Sequence, residues 1–337
     1  MATELTVESP RRAGSAGRAR ARHDAAARSP ATAPRSEYVS LGVTCVTLAI
    51  AYGVWYAYSV FLVALLGEFR WSRSLLAGAF SLFTLVNGAW NPVVGWLTDR
   101  WGPRRVVAAG GVVLALALAA DGFIERPWQL YVLFGFVTAI GVSTAGWTPA
   151  VVLVQRHFDA RLGLALGVAG SGIGMGMFLV VPLCQILIDA FGWQWAFRAL
   201  SVLALVWIVP AAWLAVRDDA ATTAGRVPPA TDGRGARSVQ PASVSAPGGA
   251  RNLAVRAAVL TLPFWLIAGA KFLGNVASQT LLVHQAVYLV DQGIAPMIAA
   301  SAISLVGMVS IVGKTGGGWL SDRVDREVVY VLGMACS

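Results

Sequence analysis

Eight apolar runs, each long enough to cross a bilayer as a helix, dominate this chain. A helix rising about 1.5 Å per residue needs about 20 mostly apolar residues to traverse a hydrocarbon core of about 30 Å. Such runs lie near 39–66, 75–97, 106–124, 130–154, 163–189, 195–215, 259–290 and 296–320, and a ninth starts near Val328 and reaches Ser337. Charged residues make up only 13% of the 337 positions and hydrophobic ones 57%, whereas soluble chains carry roughly 25% charge. Too few charges remain to cover a water-facing surface. The expected fold class is an all-α integral membrane protein with eight full spans and part of a ninth.

The formal net charge of +9 raises the question of nucleic acid, and the location of the arginines answers it. With the N-terminus in the cytoplasm, segments 1–38, 98–105, 155–162, 216–258 and 321–327 carry 20 of the 26 basic residues. Only Arg70, Arg73 and Arg126 fall in the opposite loops. That asymmetry is the positive-inside bias of multi-pass membrane proteins. Neither basic stretch interleaves aromatic residues as a base-stacking platform does. The sequence therefore predicts a multi-pass protein of the plasma (cell inner) membrane, N-terminus cytoplasmic, with the lipid bilayer as partner and no nucleic acid.

Four regions follow from the same pattern. Residues 1–38 form a basic tail, rich in Ala, Arg, Ser and Pro, of the composition that stays disordered. A six-helix unit occupies 39–216. A cytoplasmic linker, with VPPATDGRG and PASVSAPGGA, covers 217–258. A second bundle begins at 259 and runs to 337. Cys45, Cys184 and Cys336 stand alone in apolar runs, and His23, His157 and His284 are scattered. Neither set has metal-ligand spacing, so no metal and no cofactor are expected. No nucleophile, acid/base pair or His/Asp/Glu group converges in the spans, which argues against an enzyme. Gly313-Lys314-Thr315 imitates the end of a phosphate-binding loop, but Met308 stands where the motif needs glycine and the context is an apolar helix.

An internal repeat narrows the fold. Shifted by 223 residues, the second span overlays the eighth, and Gly95-Trp96-Leu97-Thr98-Asp99-Arg100 falls on Gly318-Trp319-Leu320-Ser321-Asp322-Arg323. Six spans, a linker and the same pattern again is the layout of a two-half transporter with parallel repeats. GWLTDRWGPRR resembles the signature loop after the second helix of the major facilitator superfamily, and GWLSDRVDRE resembles its copy in the second half. GEFRWSRSLLAGAFSL, RLGLALGVAGSGIG, GWQWAF and VHQAVYLVDQG resemble the monocarboxylate and oxalate/formate branch. The likeness runs from about residue 39 to the end.

The resemblance implies twelve spans, so the chain as read stops inside its ninth. It also implies a cytoplasmic gate built by Gly95, Asp99, Arg100, Arg104 and Arg105 with Gly318, Asp322 and Arg323. Gly95 ends an apolar helix, where its missing side chain admits a neighbouring backbone. Asp99 is placed to pair with arginines or a helix N-terminus. Gly163, Gly167, Gly170 and Gly174 share one face of the fifth span, a small-residue surface for close helix packing, and Gly313 and Gly317 are expected to do the same in the eighth.

Candidate substrate groups come from polar residues within spans. Lys271 lies near the bilayer middle, and Asn275 and Ser278 follow on its helix face. Lys314 stands where the monocarboxylate branch carries arginine. Ser310 replaces that branch's aspartate, so bidentate carboxylate recognition and the usual proton-coupling pair are both altered. Tyr52 and Tyr56 share a face of the first span with Ser59, and Thr148 follows Thr144 in the fourth; Trp55 and Trp147 read as packing. His284 is the candidate for proton coupling. The expected activity is alternating-access transport of a small organic anion, monocarboxylate-like, coupled to protons or a counter-anion. Efflux of drugs or other small molecules, and a non-transporting sensor or inactive fragment, stay open as alternatives.

Overall fold

The computed structural model describes residues 34–158, 161–215 and 260–324. Most of the basic tail, the linker from 217 to 258 and the run beginning near Val328 lie outside the described residues. Within them the chain forms eight successive long helical segments: α1 (Pro34–Phe69), α2 (Arg73–Trp101), α3 (Pro103–Asp121), α4 (Pro127–Arg156), α5 (Leu162–Phe191), α6 (Trp193–Ala215), α7 (Leu262–Asp291) and α8 (Pro296–Ser321). No strand occurs among the described residues. Inside a membrane the backbone must satisfy its own hydrogen bonds, and the helix does so within one segment.

Seven of these helices are long and apolar enough to cross a membrane, against the eight full spans predicted. The exception is α2. Its 29 residues are long enough, but Asn87, Asn91, Pro92, Thr98, Asp99 and Arg100 dilute its hydropathy. Asn87 and Thr98 are buried inside the bundle, while Asp99 and Arg100 at the end of α2 are exposed.

Short turns make neighbouring helices antiparallel. The α2–α3 turn is a single residue, Gly102, at φ 83°, which donates its N–H to the Thr98 carbonyl and is followed by Pro103 at the first position of α3. A positive φ suits glycine, and a proline ring is preset for a helix's first turn. Gly192 at φ 87° makes the same one-residue turn between α5 and α6.

The core lies among α1–α6, around α1. Tyr58 stacks on Phe134 at 4.4 Å and Phe61 on Phe197 at 3.8 Å, tying α1 to α4 and α6. Among the described residues α7 adds the buried Val283, Ala286 and Val287 to this cluster, with Leu282 packed against it, and α8 adds Ala300 and Ile303.

Helix α5 joins the parts, through two glycine-lined faces. On one, a methyl group at Gly172 would strike the backbone of Cys45, one at Gly176 the backbone of Ala49, and one at Gly53 the side chain of Val180. Both residue numbers rise together, so α1 and α5 run parallel in one register. On the other face Gly163 meets Gly318, Gly167 meets the Lys314 carbonyl, and Gly174 meets Gly307. Here one number rises as the other falls: α5 and α8 are antiparallel. The predicted glycine face of α5 is therefore in use, but its partners on α8 are Gly307 and Gly318. Gly313 and Gly317 correct the expectation made for them, since nothing among the described residues lies within 4 Å of where their side chains would begin.

Candidate functional site

Helix α4 is irregular along its length. It opens with an α-turn (Pro127–Leu130), continues as a π-helix (Tyr131–Thr138), returns to α (Ala139–Ala145), and breaks at Gly146 before Trp147–His157. At the break Gly146 takes φ −90° and ψ −141°, and a side chain there would meet the Val142 carbonyl. Interrupted helices expose backbone polar groups, and in transporters they mark places where solutes bind.

Several polar side chains meet at this break. The Tyr52 ring on α1 lies 3.5 Å from where a side chain at Gly146 would begin, and it stacks on Trp55 at 5.7 Å. Across the bundle, the indole of Trp147 and the aliphatic stem of Lys314 both approach Gly170, 3.4 and 3.8 Å from where its side chain would begin. The break at Gly146 and Trp147 thus stands between Tyr52 of α1 and Lys314 of α8. Lys314 is half-buried, and no carboxylate among the described residues lies within salt-bridge distance of it. A cation withdrawn from water without a counter-charge favours an anionic neighbour.

Behind the break is a network that sequence reasoning reaches only in part. The Thr148 hydroxyl donates to Asn91 Oδ1 at 2.6 Å, Ser143 donates to the same oxygen at 3.3 Å, and Asn91 Nδ2 donates to the Asn87 carbonyl at 2.8 Å. Trp90 Nε1 donates to the Thr144 hydroxyl at 3.2 Å. The Asn87 amide nitrogen is buried and has no acceptor among the described residues. Thr148 was legible as a site candidate; Asn87, Asn91 and Ser143 were not singled out, although two asparagines in an apolar run are the available signal. A second buried polar pair joins α3 to the π-helical turn, where Thr138 donates to Asp121 Oδ2 at 2.7 Å while Oδ1 has no partner.

The remaining candidates disperse. Tyr56 is half-buried and tilted against Trp55. The backbone of Lys271 lies in α7, and its side chain falls outside what is described. Asn275, Gln279, Thr280 and His284 of α7 face Ser81 and Thr84 of α2 across a cleft of about 460 Å³. Asn275 and His284 stand on opposite flanks of the α7 face there, and Ser278 is exposed without lining the cleft.

The two copies of the repeated motif differ in engagement. Asp322 accepts hydrogen bonds from the backbone N–H groups of Gly163 and Leu164, both at 2.8 Å, so it caps α5 at its positive end. Gly318 lies against the Gly163 carbonyl. Gly95, expected to admit a neighbouring backbone, has nothing among the described residues within 4 Å of its side-chain position. Asp99 and Arg105 are exposed. The arginine of each copy covers its own tryptophan: Arg100 over Trp96 at 5.4 Å and Arg323 over Trp319 at 3.9 Å. Arg104 packs over Trp213 of α6 at 4.2 Å.

Long apolar helices, a motif repeated at the ends of α2 and α8, and a broken helix facing a lysine with no carboxylate partner among the described residues together describe a multi-pass membrane protein. Residues 44–337 match the Major Facilitator Superfamily family model. The chain belongs to that superfamily. Its curated relatives include monocarboxylate transporter 13 of Bos taurus, 27% identical over 284 residues, covering 84% of this chain and 61% of the relative. Monocarboxylate transporter 11 of Mus musculus is 29% identical over 274 residues, covering 81% and 57%. Monocarboxylate transporter 12-B of Danio rerio is 28% identical over 277 residues, covering 79% and 57%. The chain thus spans about three-fifths of the length of these relatives, and its likeness is to the monocarboxylate branch.

Proposed function

We propose that this protein carries a small organic anion of the monocarboxylate class across the membrane by alternating access. The observation that carries this reading is Lys314, half-buried beside Trp147 at the α4 break and without a carboxylate partner among the described residues. An ammonium in that setting supplies one point charge, and Tyr52 and Thr148 supply hydroxyls nearby. Lysine attracts a carboxylate without the two-pronged fit of arginine, which suits a small anion held loosely enough to be released. Lys271, Asn275 and Ser278 of α7 are proposed to add contacts in another stage of the cycle. His284 is proposed as the group that couples uptake to protons; exchange against a counter-anion is the alternative coupling.

The gate in this reading is the repeated motif. Asp322 with Gly318 and Arg323 holds α8 to the N-terminus of α5, and Gly95, Asp99, Arg100, Arg104 and Arg105 are proposed to form the equivalent clamp for the first half. Both copies are assigned to the cytoplasmic face, with the protein in the plasma membrane.

Uptake of labelled small carboxylates into proteoliposomes tests this directly. Lys314→Gln keeps the length and polarity of the side chain and removes the charge. It should lower uptake at sub-saturating substrate by about thirtyfold, the low end of the scale for removing one partner of a buried charge pair. Uptake by Lys314→Gln equal to wild type would remove the lysine from the site and, with it, the anion assignment.

A further inference from the structure

Arg73 and Asp291 are oddly placed for their own helices. Arg73 is the first residue of α2 and Asp291 the last of α7. A helix N-terminus carries partial positive charge and a C-terminus partial negative charge, so each side chain sits at the end that repels it. Arg73 is also one of only three basic residues in the loops expected to face away from the cytoplasm. Neither helix dipole nor membrane topology favours these choices.

Each charge is matched by the other. Both guanidinium Nη atoms of Arg73 donate to the carboxylate of Asp291, Nη2 to Oδ1 at 2.8 Å and Nη1 to Oδ2 at 2.5 Å. This two-pronged geometry is the strongest that the two groups can make. It connects the two walls of the cleft near one end: Ala77 lies one turn into α2 from Arg73, and His284 two turns before Asp291 on α7. The pair therefore crosses the rim of the α2–α7 cleft at the end opposite to the Asp322 cap.

We propose that Arg73 and Asp291 form a strap that closes the α2–α7 cleft at its outer rim and opens to admit solute. The strap rests on the alternating-access reading for its purpose, though not for its existence. Both side chains reach solvent, so the contact is screened by salt and shifts the balance between closed and open cleft only several-fold. A weak strap is what a reversible closure needs, because a strong one would trap the protein shut.

The test reads cleft opening without reading transport. Thr84→Cys, on the α2 wall of the cleft, is introduced where Cys45, Cys184 and Cys336 are replaced by serine, and its labelling by a water-soluble maleimide is timed in nanodiscs. Arg73→Gln and Asp291→Asn should each speed labelling about fivefold, and the exchanged pair Arg73→Asp with Asp291→Arg should return it to near the starting rate. High salt should speed labelling of the strapped protein and leave the single variants unchanged. Labelling rates that ignore both single variants and salt, or an exchanged pair as fast as the singles, would overturn the strap. If one single variant fails to fold, the salt titration of the unaltered pair still decides. Loss of carboxylate uptake with the labelling pattern intact would sink the anion reading and leave the strap standing.

Discussion

The two copies of the Gly-Trp-Leu-Thr/Ser-Asp-Arg motif are nearly identical in sequence and different in what they touch. In both, arginine folds back over the tryptophan four residues earlier, Arg100 over Trp96 and Arg323 over Trp319. That contact is internal to one helix turn and needs no partner. The glycines differ. Gly318 lies against Gly163, beside the Asp322 cap of α5; Gly95 meets nothing within 4 Å among the described residues. Tryptophan and arginine are local features of the motif, whereas its glycine works only against a second helix.

The largest effect should come from forcing the close approach apart. Gly318→Leu places a branched side chain against the Gly163 carbonyl and the Gly167 Cα. Overpacking of this kind costs about 1–3 kcal/mol, and it should lower the thermal midpoint of the detergent-purified chain. Gly95→Leu, at the matching position of the first copy, should leave the midpoint close to wild type. Equal losses in the two variants would mean that the contrast between the copies is false.

Next in size is the aspartate cap. Removing a helix cap costs about 1 kcal/mol, and with Asp322→Ala the N–H groups of Gly163 and Leu164 lose their acceptor. Hydrogen exchange of the peptide spanning 161–166 should speed about fivefold in this variant. Asp322→Asn should behave much closer to wild type, since asparagine also caps well. Exchange unchanged in Asp322→Ala would show that the cap does not hold the start of α5.

Much of this was legible in the residues. Apolar runs place all eight helices, because in lipid hydropathy and helix length are set by one solvent. The glycine spacing on α5 shows a close-packing face, since one helix's periodicity is enough to define it. It does not name the partner: Gly313 and Gly317 have the same spacing as real contact residues, yet Gly307 and Gly318 are the ones in register. Register depends on where two helices meet, and that information is spread over both. The site divides similarly. Tyr52, Thr148 and Lys314 were visible as polar residues in apolar spans. The break at Gly146 that brings Trp147 between them was hidden, because a lone glycine in a membrane helix usually permits packing and seldom marks an interruption.

The smallest effect sharpens the comparison most. If the arginine–tryptophan contact is local, it should have the same value in both copies whatever each copy faces. An exposed cation–π contact contributes about 0.5–1 kcal/mol, and the tryptophans are about half exposed, Trp96 at 55% and Trp319 at 45%. Trp96→Leu and Trp319→Leu should therefore lower the thermal midpoint slightly and by matching amounts, against the unequal losses of the glycine pair. A much larger loss at Trp319 would show that the contact in the second copy is coupled to the α5–α8 interface. The division between local and interfacial roles would then fail at the residue where the two copies look most alike.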